Sequence, residues 1–214
     1  MKRILFQGDS ITDCSRNREL FASHGTGYAF MVRGQLYADH PGTYETINRG
    51  IGGNRIVDVY ARIKKDIINL KPDYMSILIG VNDVWHEIGS QNGVDAPKFE
   101  KIYDMLISEV KEALPDIKIM IMGPFVLPGT ATDSTEERPG RWETFSAEVP
   151  LRAAAAKRIA EKHNLVYLPL QEIMDKAYAQ LPEKGYWLSD GVHPTAAGHT
   201  LIKNAWLKAF EQLK

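Results

Sequence analysis

The sequence predicts an α/β protein, a three-layer α/β/α sandwich around a central parallel sheet of about five strands. Three observations carry that expectation. Short apolar runs alternate with longer segments of helical periodicity along the chain. The runs are apolar at consecutive rather than alternate positions, as strands covered on both faces require. No Pro/Gly/Ser-rich linker divides the 214 residues, so one catalytic-sized domain over residues 1–214 is expected.

The elements follow in order. Arg3–Gln7 reads as the first strand, because the opening MKRILFQGDS has an apolar run too short for a signal-peptide core. Tyr28–Ala38 is the first amphipathic helix and Tyr44–Asn48 the second strand. Ile56–Leu70 is expected as one helix, with Ile56, Val59, Tyr60, Ile63, Ile67 and Leu70 forming a single apolar stripe. Strand Tyr74–Ile79, helix Phe99–Ala113, strand Lys118–Met122, helix Phe145–His163, strand Val166–Leu168 and helix Thr195–Leu213 complete the alternation. One segment breaks it: Gly129–Glu143 is polar and longer than the usual α/β connection, which leaves lid, interface and plain surface loop all open.

Composition excludes several functions. With 26 Lys+Arg against 27 Asp+Glu and a net charge of -1, there is no electrostatic reason to bind nucleic acid or an anionic membrane. No apolar stretch approaches the ~20 residues of a membrane helix. The single cysteine, Cys14, excludes an intrachain disulfide and a Cys-based zinc site, and is expected to be a small buried filler in a cytoplasmic protein. His24, His40, His86, His163 and His199 show no metal-ligand spacing, so no metal is expected. Lys64 and Lys65 read as a solvated helix face.

In parallel sheets, ligands bind beyond the carboxyl ends of the strands. Those ends carry Gly8-Asp9-Ser10-Ile11-Thr12-Asp13, Arg49-Gly50-Ile51-Gly52-Gly53-Asn54 and Gly80-Val81-Asn82-Asp83-Val84-Trp85; Ser189-Asp190-Gly191-Val192-His193-Pro194 comes late in the chain. Asp190 precedes His193 by a turn's length, so its carboxylate can accept from Nδ1–H and leave Nε2 as a base; Pro194 suits the first turn of the last helix. Alone, the pair reads equally as a turn cap beside a surface histidine. Ser10 read alone is a helix N-cap, and the glycines are turn residues. Together, Ser10, Asp190 and His193 make a nucleophile, orienter and base that need no cofactor. Candidate oxyanion donors are the Ser10 and Gly53 backbone N–H groups and the Asn82 amide. Asp9 and Asp13 are expected to shape the Ser10 turn. Asp9, Trp85 and Trp187 are candidates for substrate contact, and Trp142 is a weaker one.

These four blocks, in this order from Gly8 to Pro194, resemble those of the GDSL/SGNH hydrolases. The resemblance implies a flavodoxin-like α/β/α fold and a serine esterase with nucleophile Ser10, acid-base pair Asp190 and His193, and oxyanion donors Gly53 and Asn82. NRGIGGN, IGVNDVW and DGVHPTAAGH look most like the bacterial acetylxylan esterase branch. That branch implies an acetylated carbohydrate substrate, xylo-oligosaccharides first, and suggests homo-oligomers. Two departures stand out. Ser189 precedes the catalytic-type Asp where the branch can carry an aromatic residue, with Trp187 two positions earlier, and Gly129–Glu143 has no counterpart. Thr12 stands where a GxSxG elbow would need its second glycine, which argues against the α/β-hydrolase superfamily. The rival readings are a lysophospholipase or thioesterase of the same chemistry and a non-catalytic flavodoxin-like binder of a sugar or nucleotide.

Overall fold

Five parallel strands in the order β2-β1-β3-β4-β5 form the sheet of the computed structural model, which describes residues 1–214. Along the chain the elements are β1 (Lys2–Gly8), α1 (Ser10–Asp13), α2 (Tyr28–Asp39), β2 (Tyr44–Asn48), α3 (Ile56–Ala61), α4 (Ile63–Asp66), a 3-10 turn (Ile68–Leu70), β3 (Tyr74–Leu78) and α5 (Val81–Ser90). They continue with α6 (Ala96–Ala113), β4 (Lys118–Met122), α7 (Arg141–His163), β5 (Val166–Leu168), α8 (Leu170–Gln180) and α9 (Ala196–Phe210).

Strand alternation divides the core into two layers. Ile4, Phe6, Leu78, Met120 and Met122 face one side, with Tyr28 and Val32 of α2, Met174 of α8 and Trp206 of α9. Leu5, Met75, Ile77, Ile119 and Ile121 face the other, with Ile56 and Val59 of α3, Tyr103 and Ile107 of α6 and Ala156 of α7. Both faces of every central strand are therefore covered, and so the runs are apolar at successive positions. The chain enters at β1, in the middle, adds β2 on one side and β3 on the other. The loops leaving β1 and β3 consequently diverge to opposite faces, which opens a crevice at the carboxyl end of the sheet.

The expected strands all form. The helix expected over Ile56–Leu70 does not run through: it breaks at Arg62 (φ -111, ψ 16) and at Ile67 (φ -135, ψ -71). The stripe itself is real, but Arg62 is drawn inward, where its guanidinium donates to Asn54 Oδ1 (2.9 Å), the Arg49 carbonyl (2.8 Å) and the Gly8 carbonyl (3.3 Å). The β-branched Ile56, Val57, Val59, Ile63, Ile67 and Ile68 offer little propensity to resist.

Two helices, α5 and α8, lie in segments read as loop or left unassigned. Their signal was present: Val81, Val84, Trp85, Ile88 and Leu170, Ile173, Met174, Ala177 each repeat at i, i+3, i+4, i+7. Helix α5 is preceded by Gly80, whose φ of 136 strongly favours glycine, and where a Cβ would stand 2.9 Å from Pro124. Pro194 is not in the first turn of the last helix. That helix begins at Ala196, with Thr195 Oγ1 capping the Gly198 N–H (3.3 Å), and Pro194 instead pairs with Leu188 in a short bridge. No helix is long and apolar enough to cross a membrane.

Candidate active site

Ser10 follows Asp9, the N-cap of α1, whose Oδ1 accepts from the Ile11 N–H at 3.0 Å and sets the turn. Asn48, at the end of β2, holds this turn from behind. Its Nδ2 donates to the carbonyls of Thr12 (2.6 Å) and His24 (3.1 Å), while its Oδ1 accepts from the Gly50 N–H (2.8 Å). One buried amide thus joins the loop after β1 to the loop after β2. Asp13 makes a second tie, accepting from the Gly52 N–H at 2.9 Å and from Arg18. Neither tie follows from local sequence, because the partners are 24 to 39 residues apart.

The late turn builds itself largely from its own residues. Asp190 Oδ1 accepts from the backbone N–H groups of Val192 (2.9 Å) and His193 (2.8 Å), while Oδ2 meets His193 Nδ1 at 2.7 Å. Ser189 closes the turn with its backbone N–H (2.7 Å) and hydroxyl (3.0 Å), both donated to the His193 carbonyl. The Gly129–Glu143 segment supports the same turn. The Leu127 N–H donates to the Gly191 carbonyl and the Ala131 N–H to the Asp190 carbonyl, each at 2.9 Å, and buried Thr132 donates its hydroxyl to the Leu127 carbonyl at 2.8 Å. The beginning of that polar segment is therefore a strut under the turn rather than a free lid.

Across 183 residues of sequence, His193 Nε2 lies 2.9 Å from Ser10 Oγ. Partial burial works against ionisation of Asp190, but the hydrogen bonds from His193 and the turn's backbone draw it down to about 2. The same bond to Asp190 raises His193 above its ordinary value, and burial offsets part of the rise. An ionised Asp190 accepts Nδ1–H, which leaves the Nε2 lone pair to accept from the Ser10 hydroxyl.

The other expected residues divide. Asn82, 7% exposed in the first turn of α5, donates Nδ2 to the Asn54 carbonyl at 3.1 Å, and so its loop is joined to the one carrying Gly53. Gly53 adopts φ 82, a left-handed conformation that glycine takes without strain. Trp85 stands with its ring centroid 5.9 Å from that of His193, against Phe145 (5.7 Å) and under the Arg141 guanidinium (5.7 Å). Trp187 is spent elsewhere: its indole N–H donates to the Leu181 carbonyl (3.1 Å) and its ring packs on Tyr186. Trp142 likewise packs against the core and donates its backbone N–H to Ser134 Oγ at 2.9 Å.

Asp9, expected at the substrate, is 1% exposed in this structure, and its Oδ2 has no partner. Burial pushes its carboxyl up to about 7. Asp83 behind it is also buried and pushed up to about 7, although it accepts from the Ile56 N–H. Cys14 is not the buried filler expected. It is partly exposed at the αL end of α1, with Sγ 3.3 Å from His199 Nε2. A cavity of about 270 Å³ beside Ser10 is lined by Cys14, His193, His199, Asp13, Ser15 and Ile11. No cluster of three His, Cys, Asp or Glu side chains is arranged to hold a metal.

A serine hydroxyl, an imidazole, a carboxylate and N–H donors near a strand-end crevice are the parts from which an acyl-transfer site can be built. Comparisons with known proteins agree. The model of the GDSL-like lipase/acylhydrolase family matches residues 6–201. The chain is 34% identical over 221 residues to an acetylxylan esterase of Geobacillus stearothermophilus, covering 97% of this chain and 93% of that protein. The solved structure of that organism's acetylxylan esterase Axe2 superposes with a TM-score of 0.81 at 33% identity, covering 97% of this chain and 93% of that one. Two further Axe2 structures are catalytic mutants, one replacing a serine and one a histidine by alanine. A Parabacteroides merdae protein described as a GDSL-like lipase gives a TM-score of 0.89 at 33% identity, over 100% of this chain and 96% of that one.

Proposed function

Because the chain belongs to the GDSL-like lipase/acylhydrolase family and is a carboxylic ester hydrolase of the carbohydrate acetyl esterase kind, we propose that residues 1–214 form one catalytic domain that deacetylates short xylo-oligosaccharides, with Ser10 as nucleophile. The observation that carries this reading is the continuous relay from Ser10 Oγ through His193 (2.9 Å) to Asp190 (2.7 Å). Ser10 attacks the ester carbonyl as His193 Nε2 takes its proton, and Asp190 stabilises the imidazolium. The Ser10 and Gly53 backbone N–H groups and the second N–H of Asn82 receive the oxyanion, each good donor contributing about 3–4 kcal/mol in the transition state. His193 then protonates the departing sugar hydroxyl and activates the water that releases acetate. None of these steps calls on a cofactor.

Trp85, beside His193, is the surface that a sugar ring meets at this step. The modest volume of the cavity beside Ser10, about 270 Å³, favours a short acyl group over the long chain of a lysophospholipid or thioester. Acetate release from acetylated xylo-oligosaccharides, with labelling of Ser10 by a fluorophosphonate, tests the reading. Retained turnover by folded Ser10→Ala protein would remove the nucleophile assignment, and faster hydrolysis of octanoyl than acetyl p-nitrophenyl ester would favour the lipid enzyme.

A further inference from the structure

A second cavity, about 390 Å³, opens where the loop after α1 meets the loop after β2 and helix α4. Four cationic side chains line it, Arg16, Arg18, Arg49 and Lys65, against two carboxylates, Glu19 and Asp66. Asp66 is already committed, since Arg62 Nη1 lies 3.1 Å and Arg49 Nε 3.7 Å from its oxygens. Asp13 behind the cavity is committed to Arg18 and to the Gly52 N–H. Arg49 and Arg18 are thus paired, and Arg16 Nε lies 3.9 Å from Asp13 Oδ1, but with Arg62 five cations share the three carboxylates Asp13, Glu19 and Asp66.

Arg16 makes the point most sharply. It is 8% exposed, its only hydrogen bond runs from Nε to the Gly50 carbonyl at 2.8 Å, and the same Nε lies 3.9 Å from Asp13 Oδ1. Its two terminal nitrogens have no acceptor although the side chain lines the cavity. A planar guanidinium held in place by one bond, with its paired donors unused, is suited to a carboxylate. Phe21, 51% exposed, adds a flat wall, with the Arg49 guanidinium 4.5 Å above its ring centroid. Such a wall can take the C–H face of a sugar ring beside the ion pair.

The cavity also lies close to Ser10. A Cβ at Gly52 would stand 3.6 Å from Arg18 Nη2, 3.7 Å from Ser10 Cβ and 3.8 Å from Asp13 Oδ2, so one residue's width separates the edge of the basic cavity from the nucleophile. Neither φ nor a clash obliges glycine at that position. Resting on the reading of Ser10 as nucleophile, we infer that this cavity is an acidic-sugar subsite, which takes the carboxylate of a hexuronate unit on the oligosaccharide whose acetyl ester reaches Ser10. The substrate class is then an acetylated oligosaccharide carrying an acidic branch.

Matched acetylated xylo-oligosaccharides with and without a glucuronate branch test it. At low ionic strength kcat/KM should favour the acidic member about tenfold, and added salt should shrink the preference. Lys65→Glu, a charge reversal at an exposed position, should abolish the preference and leave p-nitrophenyl acetate turnover unchanged. Equal kcat/KM for the two oligosaccharides would overturn the subsite, as would a preference that survives Lys65→Glu. Inhibition by free glucuronate without any gain for the branched substrate would also count against it, as binding of a free anion only. Turnover of both oligosaccharides by Ser10→Ala would instead remove the nucleophile reading, an outcome distinguishable from loss of the preference.

Discussion

Two histidines six positions apart, one in the turn before α9 and one in its first turns, line the same cavity beside Ser10 and are tuned in opposite directions. His193 faces the ionised Asp190 and is raised. His199 is buried, its Nδ1 accepting from the Tyr28 N–H at 3.1 Å and its Nε2 set against Cys14, and burial lowers it to about 4. A backbone N–H can be accepted only by an unprotonated nitrogen, so the environment of His199 stabilises the neutral ring, whereas that of His193 stabilises the imidazolium. Distance to the serine does not make a base. A carboxylate on the far ring nitrogen does.

The widest separation should appear on truncation. His193→Ala should lower kcat/KM for p-nitrophenyl acetate by about 10⁴-fold, whereas His199→Asn, which keeps an acceptor for the Tyr28 N–H, should change it by less than about tenfold. Similar losses from both would erase the distinction between the two rings.

Removing only the carboxylate charge should cost somewhat less. Asp190→Asn is expected to lower kcat by about 10³-fold or more, because the ring loses both its orienting acceptor and the charge that stabilises the imidazolium. The acid limb of kcat/KM follows the same logic. The base must be neutral and His193 is raised, so activity should fall as pH drops through a midpoint above 6.5, and any residual activity of Asp190→Asn should show that midpoint moved downward. A wild-type midpoint below 6.5 would contradict the assignment. Smaller again, Asn82→Ala should lower kcat by about 10²-fold with KM nearly unchanged, as expected for a donor engaged in the transition state.

Stability sharpens the contrast with the smallest effect. For His199 the folded value lies below the unfolded one, so between pH 6.5 and about 4 the unfolded state binds more protons and folding weakens as pH falls. The full shift corresponds to about 3 kcal/mol at most. For His193 the sign reverses: its stabilisation is present below 6.5 and lost as pH rises through the raised value. Urea unfolding of wild type and His199→Asn at pH 7 and pH 5 should show a smaller acid-side loss in the variant. An unchanged loss would mean that other buried groups dominate.

The unequal legibility of the site has the same origin. His193 and Asp190 could be paired from sequence because three residues and a glycine suffice to turn the carboxylate back on the ring. Asn48 could not be found that way. Its bonds to Thr12 and His24 depend on β2 lying beside β1, and an isolated asparagine at the end of a strand gives no hint of which backbone it will meet. Thr132 is the same case, a hydroxyl in a polar segment whose partner carbonyl becomes meaningful only when Leu127 is seen bonded to Gly191. The depth of Asp9 was hidden for a related reason. Its position next to Ser10 is visible in the sequence, but its burial depends on what packs over the turn.

Apolar periodicity and short turns are local, so the sequence by itself determined the five strands, the parallel α/β class, the four strand-end blocks and the Asp190–His193 pair. Two helices were equally local, and their i, i+3, i+4, i+7 spacing could have revealed α5 and α8. Tertiary structure decided where Arg62 breaks a continuous stripe, which histidine is raised and which lowered, how Asn48 and Thr132 hold the two halves of the site, and that Arg16, Arg18, Arg49 and Lys65 crowd one cavity. Those outcomes depend on desolvation and on partners tens of residues away. Both are set by which strand lies beside which, and neither is carried by any window of sequence.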